Sequence, residues 1–449
     1  MKISIIGGGY VGLVSAVCFA DIGHFVTCIE NDQLKLEALT QKNVPFYEPE
    51  LSEKLNHVMD AGRLTIAPEI SSTIFESEVV ILAVGTPMSN TGEANLDYLF
   101  DAVTHIIQKA TSTDFNSIVL TTKSTVPVGT GQQIQTLVNN AGLSHKISVA
   151  SNPEFLREGS AVYDFFHPDR IVIGCDKTET FAVFKQLYKA LHKDTRPITH
   201  VSLETAELAK YASNTFLATK ISFINELAML CDAVGADIKQ TAKLMGMDGR
   251  IGKYFLNPSP GYGGSCFPKD THALQFIGQQ QNVSLQVVGA AIAANNHQID
   301  YCFSKLLDLL NQNLSNKTIS ILGASFKPDT DDIRESATLK LIDRLLQHNA
   351  TINVTDPKAL DHIKTMYGNR VQVFDSAYDV SKNSDAIVLM TEWNAYRSLD
   401  LNQIKNNMRT PNFIDFRLIY SHDELNQAGF NSYILGKGIS TVNKTTAQA

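Results

Sequence analysis

The chain has 449 residues, 44% of them hydrophobic and 19% charged, enough for two or three globular domains with substantial cores. A formal net charge of −8 with no Lys/Arg-rich block argues against a nucleic-acid surface, and no apolar run approaches the roughly 20 residues needed to span a membrane. Six cysteines without a Cys-x-x-Cys pair fit a reducing, cytoplasmic setting, and twelve histidines without ligand spacing point to no metal site.

Lys2-Ile3-Ser4-Ile5-Ile6 reads as a buried strand that begins too early to leave room for a cleaved leader. Gly7-Gly8-Gly9-Tyr10-Val11-Gly12 follows at once, and residues 13–20 are apolar and helical. A Gly-x-Gly-x-x-Gly run between strand and helix makes a tight turn, admits a pyrophosphate against the backbone and packs helix on strand. A second strand at 25–29 ends in Glu30, 30 − 12 = 18 residues beyond Gly12. A carboxylate at that distance binds the hydroxyls of an adenosine ribose and repels a 2′-phosphate, so NAD is expected over NADP.

Further strands are expected at 79–84, 117–122, 147–150 and 170–173. The alternation with helices continues to about residue 198 and argues for a parallel sheet covered on both faces. Three polar, proline-containing loops lie at successive strand ends, where an open α/β sheet carries its ligand-reading residues. They are Gly85-Thr86-Pro87, Lys123-Ser124-Thr125-Val126-Pro127-Val128-Gly129-Thr130 and Asn152-Pro153-Glu154-Phe155-Leu156-Arg157-Glu158-Gly159. Residues 203–233 lack Gly and Pro and read as one long buried helix. Lys210 and Asn214 share a face of it, aimed either at an exposed edge or, as we expect, into a site.

Helical patterning resumes over 271–312, and a second strand-then-glycine unit starts at Thr318-Ile319-Ser320-Ile321-Leu322-Gly323. Alternation then runs to about 435, with a strand at 385–390. The expected architecture is α/β: two Rossmann-like doubly wound domains, 1–198 and 304–439, joined by a long central helix and a helical middle domain, 199–303. Residues 440–449 are small and polar, an expected frayed tail.

The segment richest in chemistry is Gly261-Tyr262-Gly263-Gly264-Ser265-Cys266-Phe267-Pro268-Lys269-Asp270. Its glycines allow turns and close approach of a ligand. Pro268 suits the first position of a helix, which would put the Cys266 thiol at a helix N-terminus, where negative charge is stabilised. Asp270, four residues on, could reach the same ligand. Cys266 therefore reads as a nucleophile, whereas Cys18, Cys28, Cys175, Cys231 and Cys302 read as small buried hydrophobes.

Taken together, these segments and Phe326-Lys327-Pro328-Asp329-Thr330-Asp331-Asp332-Ile333-Arg334-Glu335-Ser336 resemble the UDP-glucose/GDP-mannose dehydrogenase family over nearly the whole chain. The resemblance implies an NAD-binding first domain, a last domain that binds the UDP part of a sugar nucleotide, and a long helix at the core of a homodimer. It implies cofactor contacts from Gly7, Gly9, Tyr10, Val11, Gly12, Glu30, Lys35, Thr86, Pro87, Thr125, Glu158, Lys269 and Arg334. Substrate contacts are implied for Glu154, Phe155, Leu156, Lys210, Asn214, Tyr254, Gly263, Cys266, Phe326 and Lys327, and for Arg250 reaching across from a partner subunit.

The implied reaction is oxidation of UDP-glucose to UDP-glucuronate by two NAD⁺ and water. Two hydride removals by one protein call for a group that retains the aldehyde, and a thiol does so as a thiohemiacetal that becomes a thioester. Cys266 supplies it, Asp270 can take a proton, and Lys210 with Asn214 can stabilise an oxyanion. Thr125 and Glu154 match the holders of the hydrolytic water, and Glu158 another acid of the site. Which group is the base in each step stays open, and a desolvated Lys210 is among the choices.

Ser265 and Lys269 argue against the UDP-N-acetylhexosamine members, and Phe165-Phe166-His167-Pro168-Asp169-Arg170-Ile171-Val172-Ile173-Gly174 is more similar to the UDP-glucose branch than to the GDP-mannose one. The alternative reading is a GDP-mannose 6-dehydrogenase or another nucleotide-sugar 6-dehydrogenase. A catalytically dead binding protein is disfavoured by the intact Cys266, Lys210 and Asp270 set.

Overall fold

A computed structural model describes residues 1–89, 91–191 and 197–442. The chain divides into two compact units. One comprises residues 1–213 and 272–284, the other 214–271 and 285–449.

The first unit is built on an eight-stranded sheet: β1 (Lys2–Ile6), β2 (Phe25–Ile29), β3 (Leu64–Ala67), β4 (Val79–Leu82), β5 (Ile118–Thr122), β6 (Ile147–Ser151), β7 (Ile171–Gly174) and β8 (Ile198–Val201), in the order β3-β2-β1-β4-β5-β6-β7-β8. β4, β5 and β7 are buried at every position, which is why β4 and β7 read as apolar runs instead of alternating ones and β5 does so up to its buried Thr121 and Thr122. Two hydrophobic clusters cover the sheet. One gathers the helix Tyr10–Asp21 with Ile3 and Ile5, and the other gathers Val80, Leu82 and Leu120 with Val103 and Ile134.

The sheet is parallel, as expected, except at one join: β6 and β7 are antiparallel and share the single pair Ser151↔Gly174. The chain leaves β6 into the 152–159 loop, and a side chain takes over where the ladder is thin: Asn152 Nδ2 donates to Val172 O at 3.0 Å. β3 and β8, four residues each and largely half-exposed or exposed, carry no apolar run from which a strand could be read.

The second unit holds a seven-stranded sheet: β9 (Thr318–Leu322), β10 (Thr351–Thr355), β11 (Gln372–Val373), β12 (Ala386–Leu389), β13 (Asn412–Asp415), β14 (Asn431–Ile434) and β15 (Gly438–Ser440). Its order is β11-β10-β9-β12-β13-β14-β15, parallel except for the β14–β15 pair. The same unit contains the helix Gln286–Leu309 and most of the long helix Leu203–Val234, whose Ile224 and Ala228 join the core under this sheet. Residues 443–449, most of the expected tail, lie outside the described residues. Among the described residues no helix is long and apolar enough to cross a membrane, and no group of His, Cys, Asp and Glu could hold a metal ion.

Candidate active site

In the first unit the chain leaves β1 through Gly7, whose φ of +103° is a backbone state that side chains rarely adopt. A Cβ there would stand 2.6 Å from Ala83 O. Gly12 lies in the first turn of the helix Tyr10–Asp21, where a Cβ would be 1.8 Å from Gly7 O, so only glycine lets helix and strand close. Gly9, by contrast, faces open space. Glu30, buried at the end of β2, accepts from Gly8 N at 3.0 Å through Oε2 and from Asp32 N at 2.8 Å through Oε1. Tyr10 donates its hydroxyl to Glu48, a buried carboxylate that also accepts from Gly159 N (2.6 Å) and Ala161 N (2.7 Å). Lys35 lies in the helix Gln33–Thr40, half-buried, and its N–H bonds the capping Asp32 at 3.0 Å.

The strand-end loops of this unit converge on the same edge of the sheet. Thr86 Oγ1 donates to Thr125 O at 3.0 Å, and Pro87 beside it is exposed. Glu154 is buried and pairs with Lys210 at 2.9 Å, both side chains nearly inaccessible. Such a pair survives burial only because each charge neutralises the other. The Glu154 carboxylate also accepts from Leu156 N. Phe155 lies under the Arg170 guanidinium, 3.9 Å from ring centroid to Cζ. Glu158 is buried four residues beyond Glu154.

In the second unit the helix Phe267–Gln280 begins immediately after Cys266, and Asp270 N donates to Cys266 O at 2.8 Å. Cys266 thus occupies the N-cap, with Pro268 at the second helical position, one residue later than expected. Ser265 Oγ is 3.5 Å from the sulfur. Asp270, almost completely buried, accepts from Asn214 Nδ2 (2.6 Å) on one oxygen and from Lys269 Nζ (2.6 Å) on the other. Lys210 and Asn214 are therefore buried groups, not an exposed edge.

The loop before Cys266 is clamped by groups the sequence analysis did not single out. Asn295 Oδ1 accepts from Tyr262 N at 2.8 Å, Asn225 Oδ1 accepts from Ser259 N at 2.8 Å, and Gln298 Nε2 donates to Ser259 O at 2.8 Å. Amides on otherwise apolar helices were the available signal. Gly264 N donates to Arg334 O at 2.8 Å, and a Cβ on Gly263 or Gly264 would run into Glu335 O (2.4 Å) or the Phe326 ring (2.7 Å). Of the six thiols only Cys266 is not buried.

The UDP-glucose/GDP-mannose dehydrogenase family matches the chain in three consecutive parts: its NAD binding domain over residues 1–192, its central domain over 204–297 and its UDP binding domain over 320–422. The chain belongs to this family. It is 40% identical over 443 residues to a UDP-glucose 6-dehydrogenase of Rhizobium meliloti (strain 1021), covering 97% of this chain and 100% of the relative. A UDP-glucose 6-dehydrogenase of Rickettsia bellii (strain RML369-C) is 40% identical over 441 residues, covering 98% and 100%. Among solved structures, a UDP-glucose dehydrogenase from the hyperthermophilic archaeon Pyrobaculum islandicum aligns with a TM-score of 0.88 at 34% identity, covering 96% of each chain.

The protein is accordingly a dehydrogenase with an NAD-binding first domain. The glycine turn fits that cofactor: Gly9 leaves open space at a helix N-terminus, and the two Glu30 oxygens each accept one backbone N–H, leaving further acceptor capacity for ribose hydroxyls. The remaining expected residues lie in the second unit. Phe326 and Lys327 are half-buried after β9, with Lys327 Nζ 5.4 Å from the Phe326 ring centroid. Arg334 is exposed and bonds Asp332 (2.7 Å). Arg250 is 90% exposed and bonds Asp248 (2.6 Å), and Tyr254 is 70% exposed.

Proposed function

We propose that this dehydrogenase oxidises UDP-glucose twice, to UDP-glucuronate, through a covalent adduct on Cys266. The observation that carries the reading is the half-buried Cys266 thiol at a helix N-cap, one turn from an Asp270 that bonds Asn214 and Lys269. The names of relatives about 40% identical over nearly full length support UDP-glucose as the sugar nucleotide.

NAD⁺, when bound, accepts the hydride in each of the two oxidations. Asp270 takes the alcohol proton as the first hydride leaves C6, giving the aldehyde. The Cys266 sulfur adds to that carbon as a thiolate, and the helix N-terminus favours its negative charge. Lys210 and Asn214 donate to the oxygen that becomes anionic, forming the thiohemiacetal. Loss of the second hydride leaves a thioester. Thr125 and Glu154 hold the water that attacks it, the C–S bond breaks, and the thiol is returned with the carboxylate product. Retaining the aldehyde on sulfur keeps a reactive intermediate from escaping between the two oxidations.

The reading includes a homodimer. On the long helix Phe216, Phe223 and Leu230 recur every seven residues and are each about half-exposed or more, an apolar stripe of the kind that a second copy covers. In the same reading the exposed Arg250 offers its forked donors to the partner's sugar nucleotide. Mixed subunits carrying Arg250→Ala and Cys266→Ala should regain activity, because one site of the heterodimer recovers both groups. Nucleotide co-substrates and six cysteines, none of them in a disulfide, support a cytoplasmic setting.

Counting NADH formed per UDP-glucose tests the reaction. Two per sugar is expected, one would mean a single alcohol oxidation, and none would mean a binding protein. Turnover with GDP-mannose in place of UDP-glucose would move the protein to the alternative branch. Cys266→Ser should retain UDP-glucose binding and lose steady-state turnover. Wild-type release of glucuronate from that variant would end the covalent mechanism.

A further inference from the structure

Glu207 has no part in the chemistry above, yet it is a fully buried carboxylate on the long helix, one turn before Lys210. Its two oxygens accept from Gly131 N and Gly129 N, each at 2.7 Å. Gly129, with φ +95°, is the N-cap of the helix Thr130–Asn140 and has no side chain with which to cap it. Two of the backbone N–H groups at the start of that helix are thus satisfied by a carboxylate 76 and 78 residues away in sequence. A negative charge there also meets the positive end of the helix dipole.

The approach is close. A Cβ on Gly131 would stand 3.0 Å from Leu203 and 3.1 Å from the Glu207 carboxylate. The arrangement is also costly, since burial pushes the carboxyl up to about 7, Glu204 adds to the rise, and the two N–H bonds oppose it. The first turns of the capped helix offer no cation to offset this, because the helix has no ionisable side chain.

What this cost maintains is a loop held at both ends. At its start, Ser124 N donates to Leu82 O (3.1 Å) and Ser124 Oγ to Val84 O (2.6 Å). Thr125 O accepts from Thr86 at 3.0 Å, and Val126 is buried in the core. At its end is Glu207.

We propose that Glu207 is a positioning residue that fastens the Thr125 loop to the helix carrying Lys210, so that Thr125 and the Lys210–Glu154 pair keep one geometry. This deepens the proposed function and rests on its assignment of Thr125 to the reaction. Displacement of a reacting group by about 1 Å costs on the order of 10²-fold in rate.

The test is a double-mutant cycle on kcat with UDP-glucose and NAD⁺, with melting temperatures recorded alongside. Glu207→Gln keeps the side-chain shape but sets an NH₂ against one of the two backbone N–H groups. It should lower kcat on the order of 10²-fold while the KM for UDP-glucose stays within about threefold. In a Thr125→Ala background the same change should cost no more than about threefold further, because the loop's contribution is already gone. Should Glu207→Gln fold poorly, Gly131→Ala crowds the same carboxylate without altering charge and must show the same non-additivity. Multiplying effects, with Thr125→Ala itself impaired, would overturn the positioning role and leave the proposed function standing. A Thr125→Ala enzyme with wild-type kcat would overturn the Thr125 assignment, and this inference with it.

Discussion

The protein contains the same strand order twice, and the two copies differ where a nucleotide is read. β3-β2-β1-β4-β5-β6 and β11-β10-β9-β12-β13-β14 follow one Rossmann sequence. Each first strand ends in a positive-φ glycine, Gly7 or Gly323, at which a Cβ would strike the neighbouring strand's exit: Ala83 O at 2.6 Å, Thr391 at 2.4 Å. Each second strand ends in a buried acid, Glu30 or Asp356.

From there the copies part. After Gly7 a helix starts within three residues, whereas after Gly323 the next helix waits until Ala337. Glu30 takes one backbone N–H on each oxygen. Asp356 Oδ2 accepts from Ala324 N, Ser325 N, Ser325 Oγ and Trp393 Nε1, and Oδ1 from Lys358 N and Ala359 N. A carboxylate has about four lone-pair sites, so Asp356 is spent on backbone and side-chain donors of the protein itself while Glu30 keeps capacity for a ligand. In the proposed function Glu30 reads the cofactor, whereas Asp356 is a strut. A helix N-terminus at the turn suits a pyrophosphate in the first copy, and a long loop replaces it in the second.

The sharpest way to break this comparison is Gly12→Ala. Its Cβ would overlap Gly7 O, and strain of about 3 kcal/mol corresponds to on the order of 10²-fold in NAD⁺ affinity, with UDP-glucose affinity untouched. Calorimetric titration with each ligand reads both, and an unchanged NAD⁺ affinity would remove the turn from the cofactor site. Next in size is Asp356→Asn, which places a donor among six donors. We expect about 3 kcal/mol of lost stability, several degrees in melting temperature, with no change in cofactor preference. If that substitution instead altered nucleotide binding without affecting stability, Asp356 would not be a strut. The smallest effect is reserved for Glu30→Gln, which removes the repulsion towards a 2′-phosphate. The ratio of kcat/KM for NAD⁺ over NADP⁺ should fall about tenfold while melting changes little. Equal ratios before and after would strip Glu30 of its selective role.

Much of this was legible in the residues themselves. The glycine turn, the acid 18 positions beyond it, the long helix and the Cys266 segment all follow from local rules: glycine where no Cβ fits, periodicity of burial, a proline at a helix start. Those rules act over a few residues, so a linear reading reaches them. Tertiary structure decided the rest. Nothing near Glu207 in sequence announces that it caps a helix more than seventy residues earlier, and nothing beside Asp356 reveals that Trp393 occupies it. The antiparallel join of β6 to β7, and the amides of Asn225, Asn295 and Gln298 that clamp the Cys266 loop, are likewise contacts between distant segments. A hydrogen-bonding group states in sequence only what it can offer. Which partner it meets is set when the chain folds back, and there the difference between Glu30 and Asp356 is made.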